Sequence, residues 1–182
     1  MNISFDPFPQ LITERLLLRR MTTDDANEMF FLRSDAEMLK YIDRAPARSI
    51  EEVIKFIEMV DANLVNNEGI NWAISLKDDP KLVGNICFWR IEKEHYRAEI
   101  GYVLHPAHQG KGLMNEAMRA ALDYGFNIMK LHSVEANVNP ENTASINVLE
   151  RHNFVREGYF KENYFYNGRF LDSAIYSLVV PK

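Results

Sequence analysis

The segment Glu99-Ile100-Gly101-Tyr102-Val103-Leu104-His105-Pro106-Ala107-His108-Gln109-Gly110-Lys111-Gly112-Leu113-Met114 gathers a carboxylate, two histidines, a lysine and a pair of close glycines. Alternation before His105 predicts a strand and the apolar repeat after Gly112 predicts a helix, so a glycine-bearing loop joins the two. The start of such a helix offers unpaired backbone N–H groups and a partial positive charge. Glycines let phosphate oxygens approach the backbone closely. The chemistry that follows is the holding of a phosphate or pyrophosphate with few basic side chains. Two familiar phosphate loops do not fit. His105 stands where a Walker loop needs its first Gly, and Gly112 where it needs Ser or Thr; Asn115 stands where a dinucleotide fingerprint needs its third Gly. The plain alternative is that Gly110 and Gly112 only shape a turn and a helix cap.

The loop has company. Gln109-x-x-Gly112 after a proline, leading into an amphipathic helix, resembles the acyl-CoA pyrophosphate loop of the GNAT N-acetyltransferase superfamily. Asn142-Thr143-Ala144-Ser145-Ile146-Asn147-Val148-Leu149-Glu150-Arg151-His152-Asn153-Phe154 looks like that family's N-x-x-S-x-x-[VL]-x-[EK]-[KR]-x-G-F helix. Thr13-Glu14-Arg15-Leu16-x-Leu18-Arg19, Leu82-Val83-Gly84 and Asn167-Gly168-Arg169-x-x-Asp172 complete an ordered set similar to the RimJ/RimL-like branch, the ribosomal-protein N-terminal acetyltransferases and their relatives. The resemblance runs from about Leu11 to Leu178. It implies a GNAT fold and transfer of the acetyl group of acetyl-CoA, the co-substrate, to a primary amine by direct attack in a ternary complex. Two departures stand out. Met114 replaces a small residue, which backbone-made phosphate contacts tolerate; Asn153 replaces a Gly, and Asn is the side chain best suited to the left-handed conformation.

The resemblance also implies roles. Val103 and Leu104 pair with the pantetheine arm like an added strand, one N–H facing the thioester oxygen. Gln109, Gly110, Lys111, Gly112, Leu113 and Met114 hold the pyrophosphate, and Asn142 contacts the pantetheine side while capping its helix. Glu99 is the candidate general base; the alternative is a solvated carboxylate paired with Arg97 or Arg90. Ser145 matches the serine that serves as acid toward the thiolate in RimL-like enzymes; the alternative is an ordinary first-turn serine. Leu149 stands where many members carry a tyrosine acid. An α-amine has a pKa of about 7.7–8.0, so its neutral form at pH 7 costs about 1 kcal/mol, against about 4.6 kcal/mol for a lysine-like amine. A weak or water-relayed base suffices for a peptide N-terminus. The acceptor stays open between a peptide or ribosomal-protein α-amine and a small amine such as a polyamine, amino acid or drug. A non-catalytic acyl-CoA-binding module is the reading from another class.

Around the loop, elements follow in a definite order. Glu14 to Arg20 suits a strand. Thr22 with Asp25, and Ser49 with Glu52, read as capping boxes that open two helices. Trp72, Ile74 and Leu76 alternate, Asp78 to Lys81 is a turn, Leu82 to Ile91 a return strand and Arg97 to Leu104 a third. Leu113, Ala117 and Ala121 recur beside Met114, Met118 and Leu122, so the next helix carries a broad apolar stripe. His132 to Val138 is a strand, Pro140 to His152 a helix capped by Asn142, and Asn167-Gly168 joins a final hairpin. This predicts an α+β (mixed α/β) domain: a central, mostly antiparallel sheet of six to seven strands flanked by about four helices.

The chain has 182 residues with Lys plus Arg 21 and Asp plus Glu 26, so the formal charge is 21 − 26 = −5. That length predicts one domain over 1–182, and the acidic balance speaks against a nucleic-acid surface. It does not forbid a local phosphate pocket built from backbone. The single cysteine, Cys87, excludes an intramolecular disulfide and reads as a small buried hydrophobe rather than a nucleophile. His105 and His108 lack the company of a metal site, so no metal is expected. No apolar run is long enough for a membrane span, and the expectation is a cytoplasmic monomer or homodimer. Tyr164, Phe165, Tyr166 and Phe170 read as core or as the lining of an acceptor pocket. Asp24, Asp25, Glu28, Glu51 and Glu52 form a solvated face or attract a cationic acceptor.

Overall fold

A computed structural model describes Met1 and residues 3–180. Its strands are β1 (Leu11–Ile12), β2 (Leu16–Arg20), β3 (Ile70–Leu76), β4 (Asp79–Glu92), β5 (Arg97–Leu104), β6 (Ser133–Val138), β7 (Val155–Tyr166) and β8 (Arg169–Val179). They form one sheet in the order β1-β2-β3-β4-β5-β6-β8-β7. Every neighbouring pair is antiparallel except β5 with β6. The helices are α1 (Ala26–Ser34), α2 (Ala36–Leu39), α3 (Ile50–Val65), α4 (Leu113–Asp123) and α5 (Thr143–Arg151).

The mixed α/β layout is as the sequence predicts. The counts are higher, eight strands and five helices among the described residues, because β1 spans two residues and α2 a single turn. Neither is long enough to show a period. The first turn of the meander also falls earlier, at Lys77-Asp78, so Asp79 and Pro80 already belong to β4.

Alternation divides the sheet's two faces. Trp72, Ile74, Ile86, Phe88, Ile100 and Leu104 join one core, against Leu113, Ala117, Met118 and Ala121 of α4 and Leu149 of α5. Ala73 and Leu82 face the other side, where Met29 and Leu32 of α1 meet Val53 and Ile57 of α3. The helix starts follow their caps. Asn142 Oδ1 accepts from Ser145 N (3.1 Å), and Asp25 Oδ2 accepts from Thr22 N (2.9 Å). Ser49 Oγ accepts from Glu52 N, but the Glu52 carboxylate accepts from Arg48 N rather than Ser49 N, so that box closes one residue early. The Asn167-Gly168 turn has φ of 48° and 80°, the positive pair a type I′ hairpin requires.

Candidate active site

The site begins where two strands part. β5 and β6 pair only at Arg97↔Ser133, Ala98↔Val134 and Glu99↔Glu135. Beyond Glu99, β5 stays with β4 as far as Gly84↔Leu104, and β6 stays with β8 as far as Val138↔Ala174. Among the described residues, the β5 backbone from Ile100 to Leu104 therefore has a strand partner on one side only. Its open edge can hydrogen-bond an extended chain. Gly84 matters here because a Cβ at that position would run into Val103 O and force β4 away from β5.

β5 delivers the chain to the glycine loop. Gln109 Nε2 donates to Leu104 O (2.8 Å), and Lys111 Nζ donates to Ala107 O (2.8 Å), which folds the loop back on its strand. Gly110 and Gly112 have φ of 72° and 76°, a conformation side-chain-bearing residues adopt at a penalty. Gly112 opens α4. Its carbonyl accepts from Glu116 N, so the amides of Leu113, Met114 and Asn115 precede the first helical bond and are offered outward. The Leu113 and Met114 side chains are buried in the core, which is how a methionine fits where a small residue is usual. The N-terminal motif locks this helix start. The Glu116 carboxylate accepts from Thr13 Oγ1, from Arg15 N (2.7 Å) and from Arg15 Nε (2.7 Å), while Arg15 also donates to Lys111 O (2.9 Å). The sequence pattern marked Arg15 as part of a signature but gave no sign of its partner, 101 residues away.

At the apex of the splay two groups lie on opposite faces. Glu99 is buried on the α1/α3 face with Cys87, Gly101 and Val103, and Arg90 reaches it at 3.1 Å. Of the two pairings open from sequence, Arg90 is the one made; Arg97 pairs with Glu92 instead (2.8 Å). Burial raises the Glu99 pKa; Arg90 opposes that and Glu135 adds to it. On the α5 face the Tyr102 hydroxyl lies 2.8 Å from Ser145 Oγ and 3.1 Å from Ser145 O. Burial pushes Tyr102 up to about 12, so it stays a neutral phenol and a hydrogen-bond donor throughout the physiological range. Alternation along β5 puts Tyr102 on the face opposite Glu99 but does not reveal that its hydroxyl meets Ser145, 43 residues on.

One cavity of about 830 Å³ runs through the splay and touches both groups. Val103, Asn142, Ser145 and Glu99 all line it, whereas the loop from Gln109 to Met114 lies beyond it at the far end of β5. Leu104 is buried beside Gly84 and takes no part in the lining. Cys87 lines the cavity and is only partly buried, so it is not the fully enclosed hydrophobe expected; burial still pushes its thiol up to about 12 and leaves it un-ionised. Of the four hairpin aromatics only Tyr164 reaches this cavity. Phe165 and Phe170 are neither core nor pocket: they are exposed and meet edge-on at 5.1 Å. None of Asp24, Asp25, Glu28, Glu51 and Glu52 lines the cavity, and Asp25 is held by Arg19 (2.6 Å). Among the described residues, no group of three or more His, Cys, Asp or Glu is placed to hold a metal, and no helix is long and apolar enough to cross a membrane.

The chain matches known proteins in sequence and fold. Residues 15–155 match the acetyltransferase (GNAT) domain family. The uncharacterized N-acetyltransferase YoaA of Bacillus subtilis is 35% identical over 175 residues, covering 96% of this chain and 99% of that protein. A crystal structure of an acetyltransferase (GNAT family) from Bacillus anthracis has a TM-score of 0.83 at 33% identity, covering 94% of this chain and 98% of the other. Spermidine N-acetyltransferase from Vibrio cholerae, solved with CoA and spermine, has a TM-score of 0.80 at 27% identity, covering 90% of this chain and 95% of the other. Ribosomal-protein acetyltransferases share the fold at 22% identity. The domain match over residues 15–155 and a relative 35% identical across 96% of the chain make this chain a member of the GNAT acetyltransferase family.

Proposed function

We propose that this protein transfers the acetyl group of acetyl-CoA to a primary amine, by direct attack within a ternary complex held in the splay. The observation that carries the reading is the pairing gap after Glu99↔Glu135, with a buried carboxylate on one face and a tyrosine–serine pair on the other. The chain fits the co-substrate on two counts. The open β5 edge that runs up to Leu104 suits the amide-bearing pantetheine arm, and the amides of Leu113, Met114 and Asn115, with Gly110, Lys111 and Gly112 before them, suit a pyrophosphate. Gln109 holds the turn between the two, and Lys111 adds positive charge beside it.

Glu99 takes the proton of the incoming ammonium. Its raised pKa makes it a better acceptor than an ordinary carboxylate, and its burial on the α1/α3 face puts the acceptor on the side opposite α5. As the N–C bond forms and the C–S bond breaks, a β5 amide in the splay steadies the charge on the carbonyl oxygen. Ser145 donates to the departing thiolate. A thiol of pKa about 8.5 leaves at pH 7 with a penalty of only about 2 kcal/mol, so a hydrogen bond is enough. Tyr102 serves Ser145 rather than the thiolate. A phenol near 12 does not give up its proton to a weaker base; its hydroxyl, 2.8 Å from Ser145 Oγ and 3.1 Å from Ser145 O, fixes the position of the serine instead. Asn142 fixes the serine's backbone. Cys87, which burial holds protonated, is a poor nucleophile, in keeping with direct transfer.

The test is thiol release from acetyl-CoA across a broad amine panel that includes peptides with free N-termini. Amine-dependent release supports the reading. Tight CoA binding with no release for any amine would leave a binding module instead.

A further inference from the structure

Two arginines in the wall of the central cavity have no anionic partner. Arg33 comes from α1 and Arg44 from the segment between α2 and α3, and both line the cavity on the face that carries Glu99. Among the described residues neither makes an ion pair, and Arg44 Nε is buried without any hydrogen-bond partner. Arg33 lies over the Phe56 ring, 3.7 Å from its centroid, which steadies the guanidinium without neutralising it. The third arginine there, Arg90, is taken by Glu99. Asp43 also lines the cavity; burial raises its pKa while Arg169 opposes that, and among the described residues no ion pair joins it to Arg33 or Arg44.

Burying two like charges side by side is unfavourable unless something offsets them. Burial pulls Arg33 down to about 10, with Arg44 acting the same way, and burial lowers Arg44 as well. A packing role would use the aliphatic stem and leave the guanidinium in water. Here a donor N–H is sealed in with nothing to receive it. A planar guanidinium with free donors suits a carboxylate, which can accept two parallel hydrogen bonds. Arg44 is also near the chemistry, since the Cys87 thiol feels both Arg44 and Glu99.

We infer that the acceptor is a primary amine whose own molecule carries a carboxylate, bound by Arg33 and Arg44 while its amine faces Glu99. This rests on the acetyltransferase reading and narrows it. The carboxylate belongs to a free amino acid or to an acidic residue near a peptide N-terminus; both present the same pair of groups. A polyamine brings only positive charge to a wall that already holds two unpaired cations.

Thiol release from acetyl-CoA tests this with matched acceptors: amino acids against their carboxamides, tripeptides with Glu against Gln at the second position, and spermidine alone. The wild-type protein should favour the carboxylate member in kcat/KM by about ten- to hundred-fold, the range of a hydrogen bond to a charged group. In Arg44→Gln and in Arg33→Gln that preference should shrink toward parity, chiefly through KM. The preference is a ratio within one preparation, so partial misfolding cancels. The arm that shows it separates the amino acid from the peptide. Spermidine or the neutral members reacting as well as the carboxylates, or a preference untouched by Arg44→Gln, overturns the inference and leaves the acetyltransferase reading standing. Silence in every arm removes both.

Discussion

Replacing Glu99 by Gln separates the base from everything else it does. The fold should survive. Arg90, its partner, is 63% exposed at the side chain, so losing the ion pair strands no buried charge, and such pairs are worth about 1 kcal/mol or less. The unfolding midpoint should move by no more than about 2–4 °C for a chain of this size. The kinetic effect is larger and depends on pH. In the wild-type protein the protonated amine can enter and Glu99 collects its proton, so kcat/KM is flat between the pKa of Glu99 and that of the amine. Burial raises the Glu99 pKa above 4.5, so the acid limb lies above the ordinary carboxylate range. In Glu99→Gln only the neutral amine reacts. For an α-amine of pKa about 7.7–8.0 that fraction is about one in seven at pH 7 and nearly complete at pH 9, so the variant's rate should climb about seven-fold between them. Against the wild type it should lose about a hundred-fold or more at pH 7, the lower end of general-base contributions. Initial rates of thiol release from pH 5 to 9 read both features. A variant whose profile keeps the wild-type acid limb and plateau would refute Glu99 as base.

Two further substitutions probe the opposite face and the loop. Tyr102→Phe removes the hydroxyl that hydrogen-bonds Ser145 and should lower kcat about three- to ten-fold with little change in the KM for acetyl-CoA, the worth of one neutral hydrogen bond. The loss should vanish when Ser145 is already Ala; additive losses would mean Tyr102 acts independently of the serine. Gly112→Val forces a β-branched residue to φ 76°, a penalty of about 1–2 kcal/mol, although a Cβ there would meet only Arg15 at an ordinary 3.6 Å. The loop should therefore rearrange while α4 stays docked, and calorimetry should show CoA affinity falling at least about ten-fold; wild-type affinity would refute the loop as the phosphate site.

What was legible in the sequence was local. The α4 stripe is plain because six residues at helical spacing point one way, and Ala117, Met118 and Ala121 are fully buried. The Asn142 cap, the left-handed Asn153 (φ 64°) and the Asn167-Gly168 hairpin each depend on a few adjacent residues. What was not legible spans the chain. Ile3 and Phe5 fill the core as isolated apolar residues with no period to announce them. The alternation of β6 says strand, but no residue in it says that pairing with β5 stops after Glu135. After α4 the chain widens into a single π turn, Tyr124–Ile128, which the apolar stripe does not announce. Arg33 and Arg44 meet only because α1 and the α2–α3 connection pack over the same cavity, and their lack of carboxylate partners exists only in three dimensions. The acidic residues of the early helices read as a solvated face or as a lure for a cationic acceptor; folding turns them to caps and solvent, and the cavity is lined by arginines.

The most direct test of the account is the fate of the acetyl group. Incubation with acetyl-CoA and a reactive amine, followed by intact mass measurement of both acceptor and protein, follows it. Direct transfer in a ternary complex predicts one acetyl group gained on the acceptor's nitrogen and an unchanged protein mass, with or without the amine present. An acetylated protein that forms with acetyl-CoA alone and passes its label to the amine would contradict it, and would point to Cys87 or another side chain as an intermediate carrier.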